Sequence, residues 1–255
     1  MDLRLPFHLA KGYKSASQRA RVVSEEWGTA NLYCCNCTSD SLDRQSDNTQ
    51  VIDFLCPRCK GRYQLKSQQR RFSSSFTGSG YGRMMEAVHA GRAPHFHLLH
   101  YELPTELVRN LTVIPRFAIS SSAIQRRNPL RDSARRPKWV GYVFNLRIVP
   151  DSAKIALVRE GEVIDLTLVR RQFAKIARIE SLRPEQRGWT LDVLRCVESL
   201  HSEAFTNDDI YAFEPELARL YPGNRHIRDK IRQQLQVLRD RGFLQQPARG
   251  HWQRL

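Results

Sequence analysis

Hydrophobic and polar positions in the larger, N-terminal part of the chain predict a mixed α/β fold. Apolar residues recur at helical spacing within Ser15–Trp27, Tyr81–Ala90 and Leu168–Ile179. Short apolar or alternating runs predict strands at positions 51–55, 61–66, 97–101, 111–114, 140–149, 154–159 and 162–166. The first two of these runs lie close together in the chain and are expected to pair as a hairpin.

The pattern changes after the polar stretch Ser181–Gly188, which contains Pro and Gly and is predicted to be a linker. Helical periodicity alone follows, at positions 189–200, 207–220 and 224–241, and the second of these helices begins with a capping box at Thr206–Asp209. Two short runs around the predicted turn Pro247–Gly250 then form a hairpin. Three helices followed by a hairpin predict an α+β winged-helix domain at 183–255, after a mixed α/β domain at 1–182.

Charge is the unusual feature of the composition. The chain is 41% hydrophobic and 26% charged, as in ordinary globular proteins, but its formal net charge is +15. Such an excess indicates a polyanionic partner, most simply nucleic acid, although charge that only keeps the protein soluble remains an alternative at this point. The chain shows no secretory signal and no apolar run long enough for a membrane span, so we expect a cytoplasmic protein without a membrane partner.

The basic residues concentrate at two places. Residues 126–139 contain six Arg or Lys against Asp132 and end in an aromatic ring, which favours nucleic-acid contact by Arg126, Arg135, Arg136 and Trp139. The second place is the third helix of the C-terminal domain, which we expect to enter a major groove. Its candidate contact residues are Arg225, His226, Arg228, Arg232 and Gln233.

Four of the six cysteines have the spacing of a zinc ribbon. Cys34 and Cys37 form one Cys-x-x-Cys pair, and Cys56 and Cys59 form another after eighteen residues. Four thiolates leave no open position on the ion, so a structural Zn²⁺ is expected. Cys35 is an alternative to Cys34, although the latter has the better spacing.

A second motif overlaps the zinc loop. Asp53 is followed by the triplet Gln64-Leu65-Lys66, a variant of a nuclease metal motif in which two neighbouring strands hold a divalent cation and a Lys approaches the bound water. Residues 64 and 66 would share one face of a strand. The alternative is the polar outer face of an ordinary hairpin.

Taken together, these residues resemble the DpnI-type methyl-directed restriction endonucleases over essentially the whole chain. The resemblance rests on the double Cys-x-x-Cys, on Asp53 with Leu65-Lys66-Ser67, and on further blocks. Those blocks are Tyr13-Lys14-Ser15, Phe72-Ser73-Ser74, Ile124-Gln125-Arg126, Ala134-Arg135-Arg136 with Trp139, Arg187-Gly188-Trp189-Thr190 and Lys230–Gln236.

The resemblance implies a zinc-containing PD-(D/E)xK nuclease domain and a winged helix that both read N6-methyladenine in duplex GATC, with cleavage that depends on Mg²⁺. Asp53, Gln64 and Lys66 would then be catalytic, and Asp53, Gln64 and the Leu65 carbonyl would bind Mg²⁺. Trp139 would sense the methylated adenine, and the protein is expected to act as a monomer. Gln64 stands where the family has Glu, and Glu25 or Glu26 of the first helix is a candidate for the missing carboxylate. A reader of methylated DNA that does not cut is the alternative.

Overall fold

The computed structural model describes residues 1–46 and 52–255. The described residues of the N-terminal part form helices and strands that alternate along the chain, as the sequence predicted. The helices are α1 (Ala16–Asn31), α2 (Tyr81–His89) and α3 (Leu166–Ala177). The strands are β1 (Asp43–Arg44), β2 (Phe54–Leu55), β3 (Arg62–Gln68), β4 (Ser75–Gly78), β5 (His95–Glu102), β6 (Leu107–Ile114), β7 (Ile124–Arg126), β8 (Tyr142–Asn145), β9 (Ile155–Arg159) and β10 (Glu162–Val163).

A central sheet organises this part. Within the described ranges its strand order is β1-β2-β3-β5-β6-β9-β10, and its pairs are antiparallel except for β3 and β5, which are parallel. On one face of β5, His95 packs against Phe173 of α3. On the other face, Phe96 meets Phe76 and Phe144 of a second sheet, β4-β8-β7. The central sheet is therefore covered on both faces, which agrees with the apolar character of β5.

The predicted hairpin at 51–66 is present but shorter than expected. Val51 lies outside the described residues, and β2 contains only Phe54 and Leu55, which pair with Tyr63 and Arg62. The strand β1, which periodicity did not predict, adds to the outer edge of β2. The region 140–149 likewise contains a strand of four residues, β8, rather than one long strand.

The C-terminal part contains α4 (Pro184–Ser199), β11 (Ala204–Thr206), α5 (Asn207–Tyr211), α6 (Glu214–Leu220), α7 (Ile227–Asp240), β12 (Leu244–Ala248) and β13 (His251–Arg254). Its strands form a sheet in the order β11-β13-β12. Helices α4 and α7 pack together, and a buried hydrogen bond joins Thr190 Oγ1 to Gln234 Oε1 at 2.7 Å. The predicted capping box is confirmed, because Thr206 and Asp209 cap each other's backbone at the start of α5.

Three predictions for this part were wrong in detail. The expected linker Ser181–Gly188 is mostly helical, because Pro184 occupies the first turn of α4, where its missing N–H costs nothing. The expected single helix at 207–220 is two helices, since Pro215 cannot continue α5 and instead begins α6. The hairpin turn is tighter than predicted, with β12 extending through Ala248 and Gly250 at φ +78°.

The described residues contain no helix that is both long and apolar enough to cross a membrane.

Candidate active site and metal centre

The four thiols of the predicted zinc ribbon come together in the fold. The Sγ atoms of Cys34, Cys37, Cys56 and Cys59 all lie within 4.8 Å of one another. The Sγ–Sγ distances are 3.6 Å for Cys34 and Cys59 and 3.6 Å for Cys37 and Cys56. Tetrahedral Zn–S bonds of about 2.3 Å place sulfur atoms roughly 3.8 Å apart, so this cluster can hold a zinc ion.

Cys35, which the sequence left as an alternative ligand, lies outside this cluster. Its side chain is buried, and burial raises the pKa of its thiol to about 12. The geometry therefore selects Cys34.

Neighbouring side chains hold the first knuckle in place. The Tyr63 hydroxyl lies 3.2 Å from the Cys34 Sγ. From α3, Arg170 donates hydrogen bonds to the carbonyls of Cys34 and Ser39 at 3.3 and 3.0 Å. These contacts orient the cysteine backbone from outside the thiol cluster, as second-layer contacts do in metal sites.

Asp53 lies beside the strand that carries the Gln-x-Lys triplet. Its N–H donates to the Tyr63 carbonyl at 2.9 Å, and its Oδ2 accepts a hydrogen bond from the Leu65 N–H at 2.7 Å. Along β3, Gln64 and Lys66 alternate with the buried Tyr63 and Leu65, so the first two share one face of the sheet. The structure thus brings the three predicted catalytic positions to one hairpin.

The Gln64 side chain is the unusual feature of this hairpin. Its Oε1 is buried and has no hydrogen-bond partner among the described residues. A buried polar atom without a partner costs free energy, roughly 1–3 kcal/mol, unless a donor or a cation is supplied. The orphaned oxygen, on the same hairpin as the Asp53 carboxylate, therefore fits a bound cation.

Burial shifts both ionisable groups of the hairpin toward their neutral forms. It raises the pKa of Asp53, although the hydrogen bond from the Leu65 N–H and the charge of Lys66 both lower this pKa. Burial also lowers the pKa of Lys66, although the negative charge of the nearby Asp53 carboxylate raises this pKa. Shifted acid and amine groups side by side are typical of catalytic sites.

The first helix adds charged residues that the motif did not identify. Glu25 is buried, and its charge contributes to the raised pKa of Asp53. Its Oε1 binds Arg21 Nε at 2.6 Å and its Oε2 binds Arg44 Nη2 at 2.8 Å. Glu26 is about half exposed and lies 3.5 Å from Arg44 Nη1. The i, i+4 spacing of Arg21 and Glu25 is visible in the sequence, but their proximity to Asp53 is not.

The basic segment at 126–139 is the tip of the hairpin formed by β7 and β8. Its two sides are joined by backbone hydrogen bonds, since Leu130 N–H donates to the Trp139 carbonyl at 2.9 Å. Arg126, Arg135 and Arg136 are all exposed. Trp139 is half-buried at the base, where the Arg136 guanidinium lies 5.6 Å above its ring. Gly80, just before α2, lies close to this ring, so a larger residue there would contact it.

The candidate residues of the C-terminal part lie at the start and on the outer face of α7, and all are exposed. Two of them already have partners: Arg228 Nε binds Glu214 Oε2 at 2.7 Å, and Arg232 binds Asp229. His226 lies 4.0 Å from Asp229, and Gln233 Oε1 accepts a hydrogen bond from Lys230. Arg225 has no ion-pair partner in the part of the chain that the structure describes. Lys230, which the sequence reasoning passed over, lies 5.9 Å above the Trp189 ring.

Two family models match the chain, one for each part. The model of the Dam-replacing family, DpnI, matches residues 1–182, and the model of the Dam-replacing HTH domain matches residues 185–254. The second match covers α4 to α7 together with the strands β11 to β13.

Proposed function

Since the chain belongs to the DpnI family, a family of methylation-dependent restriction endonucleases, we propose that it cuts duplex DNA at GATC sites carrying N6-methyladenine, with Mg²⁺ as the catalytic metal. The observation that carries this proposal is the hairpin on which the buried, unpartnered Gln64 Oε1, the Asp53 carboxylate and Lys66 lie together. A protein that only reads DNA has no need of this arrangement.

In this proposal the hairpin is the metal site of a PD-(D/E)xK nuclease core. Asp53, the Gln64 amide oxygen and the Leu65 carbonyl would hold Mg²⁺, which prefers oxygen ligands. When bound, the ion lowers the pKa of a coordinated water and stabilises charge on the phosphate. The Leu65 N–H fixes the Asp53 carboxylate, so one carboxylate oxygen is oriented before any ligand arrives.

Lys66 is proposed to handle the proton of the attacking water. Its lowered pKa increases the fraction of neutral amine near neutral pH, which is the form that can accept a proton. When it is charged, the same group stabilises negative charge on the phosphate. Its place on the Gln64 face of β3 brings both roles to one side of the sheet.

Glu25 is the better candidate of the two acids on α1 for a supporting carboxylate. It is buried and lies within electrostatic reach of Asp53, whereas Glu26 is about half exposed. Both Glu25 oxygens are bound by arginines, so Glu25 would have to exchange Arg21 or Arg44 for the metal.

The zinc cluster is proposed to be structural. Cys56 and Cys59 lie between β2 and β3, so a zinc ion bound to the four thiols would brace the hairpin that carries Asp53 and Lys66. Four protein ligands leave no position for a substrate, which separates this ion from the catalytic metal.

Methylated DNA is proposed to be read by two domains, a nuclease domain at 1–182 and a winged helix at 183–255. In the first, Arg126, Arg135 and Arg136 would contact phosphates and the Trp139 ring would contact the methyl group. In the second, α7 would enter the major groove with Arg225, His226, Arg228, Arg232 and Gln233. Burial of one methyl group contributes only about 1 kcal/mol to binding. Two domains of one monomer that each read a methyl group would therefore distinguish methylated from unmethylated DNA better than one domain.

The test is cleavage of plasmid that is either methylated or unmethylated at GATC adenines, with purified protein and Mg²⁺. We expect cleavage of the methylated plasmid alone, and none by Asp53→Asn, because the amide loses the charge that attracts the cation. Asp43→Asn is a matched control, since Asp43 is an exposed residue on β1 of the same hairpin region. Retarded but intact methylated plasmid would instead identify a reader that does not cut.

Gln64→Glu tests the departure from the family motif. A carboxylate at this position binds Mg²⁺ more tightly than an amide, so we expect half-maximal cleavage at a lower Mg²⁺ concentration. An unchanged Mg²⁺ dependence would remove the reason to assign Glu25 a compensating role.

A further inference from the structure

A cavity of about 240 Å³ opens on the face of the central sheet that carries Lys66. Leu98 of β5, Thr112 of β6 and Ala156 of β9 line it, and strand pairing aligns these three residues in one row. Lys66 of β3 pairs with Leu98 and extends the same row. Neighbouring strands lie about 4.8 Å apart and paired residues share a face, so this sheet-face cavity begins one strand away from Lys66.

The polar side chains of the cavity are arranged as donors. The Glu160 N–H donates to Asn110 Oδ1 at 3.1 Å, so Asn110 Nδ2 is the donor in its 3.1 Å contact with His100 Nδ1. An accepting Nδ1 leaves the proton of a neutral imidazole on Nε2. His100 therefore offers a donor at Nε2, and the Thr112 hydroxyl can also donate.

The charges around the cavity are positive. Arg71, Lys154 and Arg159 line it, and none of its described lining residues is acidic. Arg71 is paired with Glu160 at 3.0 Å and Lys154 with Asp151 at 2.8 Å, both outside the lining. Arg159 is exposed and has neither an ion pair nor a side-chain hydrogen bond to the rest of the described chain. The cation available to a ligand is therefore Arg159.

The remaining walls are apolar. Phe72, Ile114 and Leu146 line the cavity, and the half-buried Phe72 presents an aromatic ring. The volume is below the roughly 300–1,000 Å³ of most small-molecule sites, which suits one nucleotide better than a larger ligand. Donors, an unpaired guanidinium and an aromatic wall match a phosphate joined to a flat, partly apolar group.

We propose that the sheet-face cavity holds one nucleotide of the DNA strand, near the nucleotide whose phosphodiester bond is cut, with its phosphate at Arg159 and its base or sugar against Phe72. This rests on the proposed nuclease function, because the row of paired residues connects the cavity to Lys66. A free mononucleotide has the same chemistry, and the experiment separates the two sources.

The test measures binding of a methylated GATC duplex in buffer without Mg²⁺ over a range of salt concentrations. Arg159→Gln removes one phosphate contact, so the slope of log K against log salt should fall by about 0.9, an affinity loss of about eightfold at 0.1 M salt. Arg171→Gln is the matched control, because Arg171 is an exposed arginine of α3, the helix on the opposite sheet face. Ala156→Leu fills the cavity without a change of charge and should lower affinity while the slope is retained. The thermal midpoint of Ala156→Leu shows whether this variant is folded. If it is not folded, Arg159→Gln alone tests the inference.

An Arg159→Gln protein that binds the duplex like Arg171→Gln overturns the inference, while cleavage by the wild type still upholds the proposed function. A wild type that neither binds nor cuts methylated DNA contradicts the proposed function itself. The second arm titrates 2′-deoxyadenosine 5′-monophosphate into the wild type. Saturable binding that Arg159→Gln abolishes, together with unchanged duplex binding, would assign the cavity to a free nucleotide and overturn the assignment to the DNA strand.

Discussion

Asp192 makes the dependence of stability on pH predictable from a single buried carboxyl group. It lies on α4 with no exposed surface, and its Oδ2 accepts hydrogen bonds from Tyr221 at 2.5 Å and from Ser122 at 3.5 Å. Its Oδ1 has no partner among the described residues. The Asp192 carboxylate therefore connects Ser122 of the N-terminal part to Tyr221, which lies before α7. Its second oxygen has no hydrogen bond to the described residues.

Burial raises the pKa of Asp192 from 3.8 to about 6, although Tyr221 and Arg195 act in the opposite direction. The folded state consequently binds a proton that the unfolded state releases between these two pH values, and stability must fall as pH rises through this range. A shift of about two units corresponds to about 3 kcal/mol. Asp192→Asn keeps an acceptor for Tyr221 but cannot ionise, so it should be more stable than the wild type by about that amount at neutral pH.

The assay is urea unfolding of both proteins at several pH values between about 4 and 7. The difference in unfolding free energy between them isolates Asp192, because all other titrating groups are shared. We expect a difference near zero at about pH 4 that grows to about 3 kcal/mol by about pH 7. Asp132→Asn, at an exposed position, should show no such trend. A difference that does not change with pH, or an Asn variant that is less stable at neutral pH, would refute the reasoning.

Three further predictions follow from the site. Because burial raises the pKa of Asp53 in the metal-free site, the cleavage rate at subsaturating Mg²⁺ should decline on acidification at a higher pH than an ordinary carboxylate would cause, as a pH–rate profile would reveal. Removal of zinc with a chelator should lower the thermal midpoint, and added Mg²⁺ should not restore it, because four thiols hold the hairpin. His97 is buried with neither ring nitrogen hydrogen-bonded within the described ranges, so His97→Leu should raise the unfolding free energy in urea by about 1–2 kcal/mol. A loss of stability in that variant would indicate a buried water on the ring.

Local rules predicted those features whose cause lies within a few residues. The Cys-x-x-Cys spacing identified the cluster, since each knuckle is a single turn, and the capping box at Thr206 identified the start of α5. The same rules failed where two signals compete. Pro184 and Pro215 were interpreted as linker and helix interior, but each lies in the first turn of a helix, where proline is tolerated.

The sequence by itself determined the two Cys-x-x-Cys pairs, the mixed α/β class and the hairpin with Asp53 and Lys66, because these depend on spacing and periodicity. Tertiary structure alone decided which atoms lack partners and which residues become neighbours. The orphaned oxygen of Gln64, the position of Glu25 near Asp53 and the row that leads from Lys66 to the cavity all depend on register and burial. Register and burial arise from contacts between segments far apart in the chain, and local pattern carries no record of them.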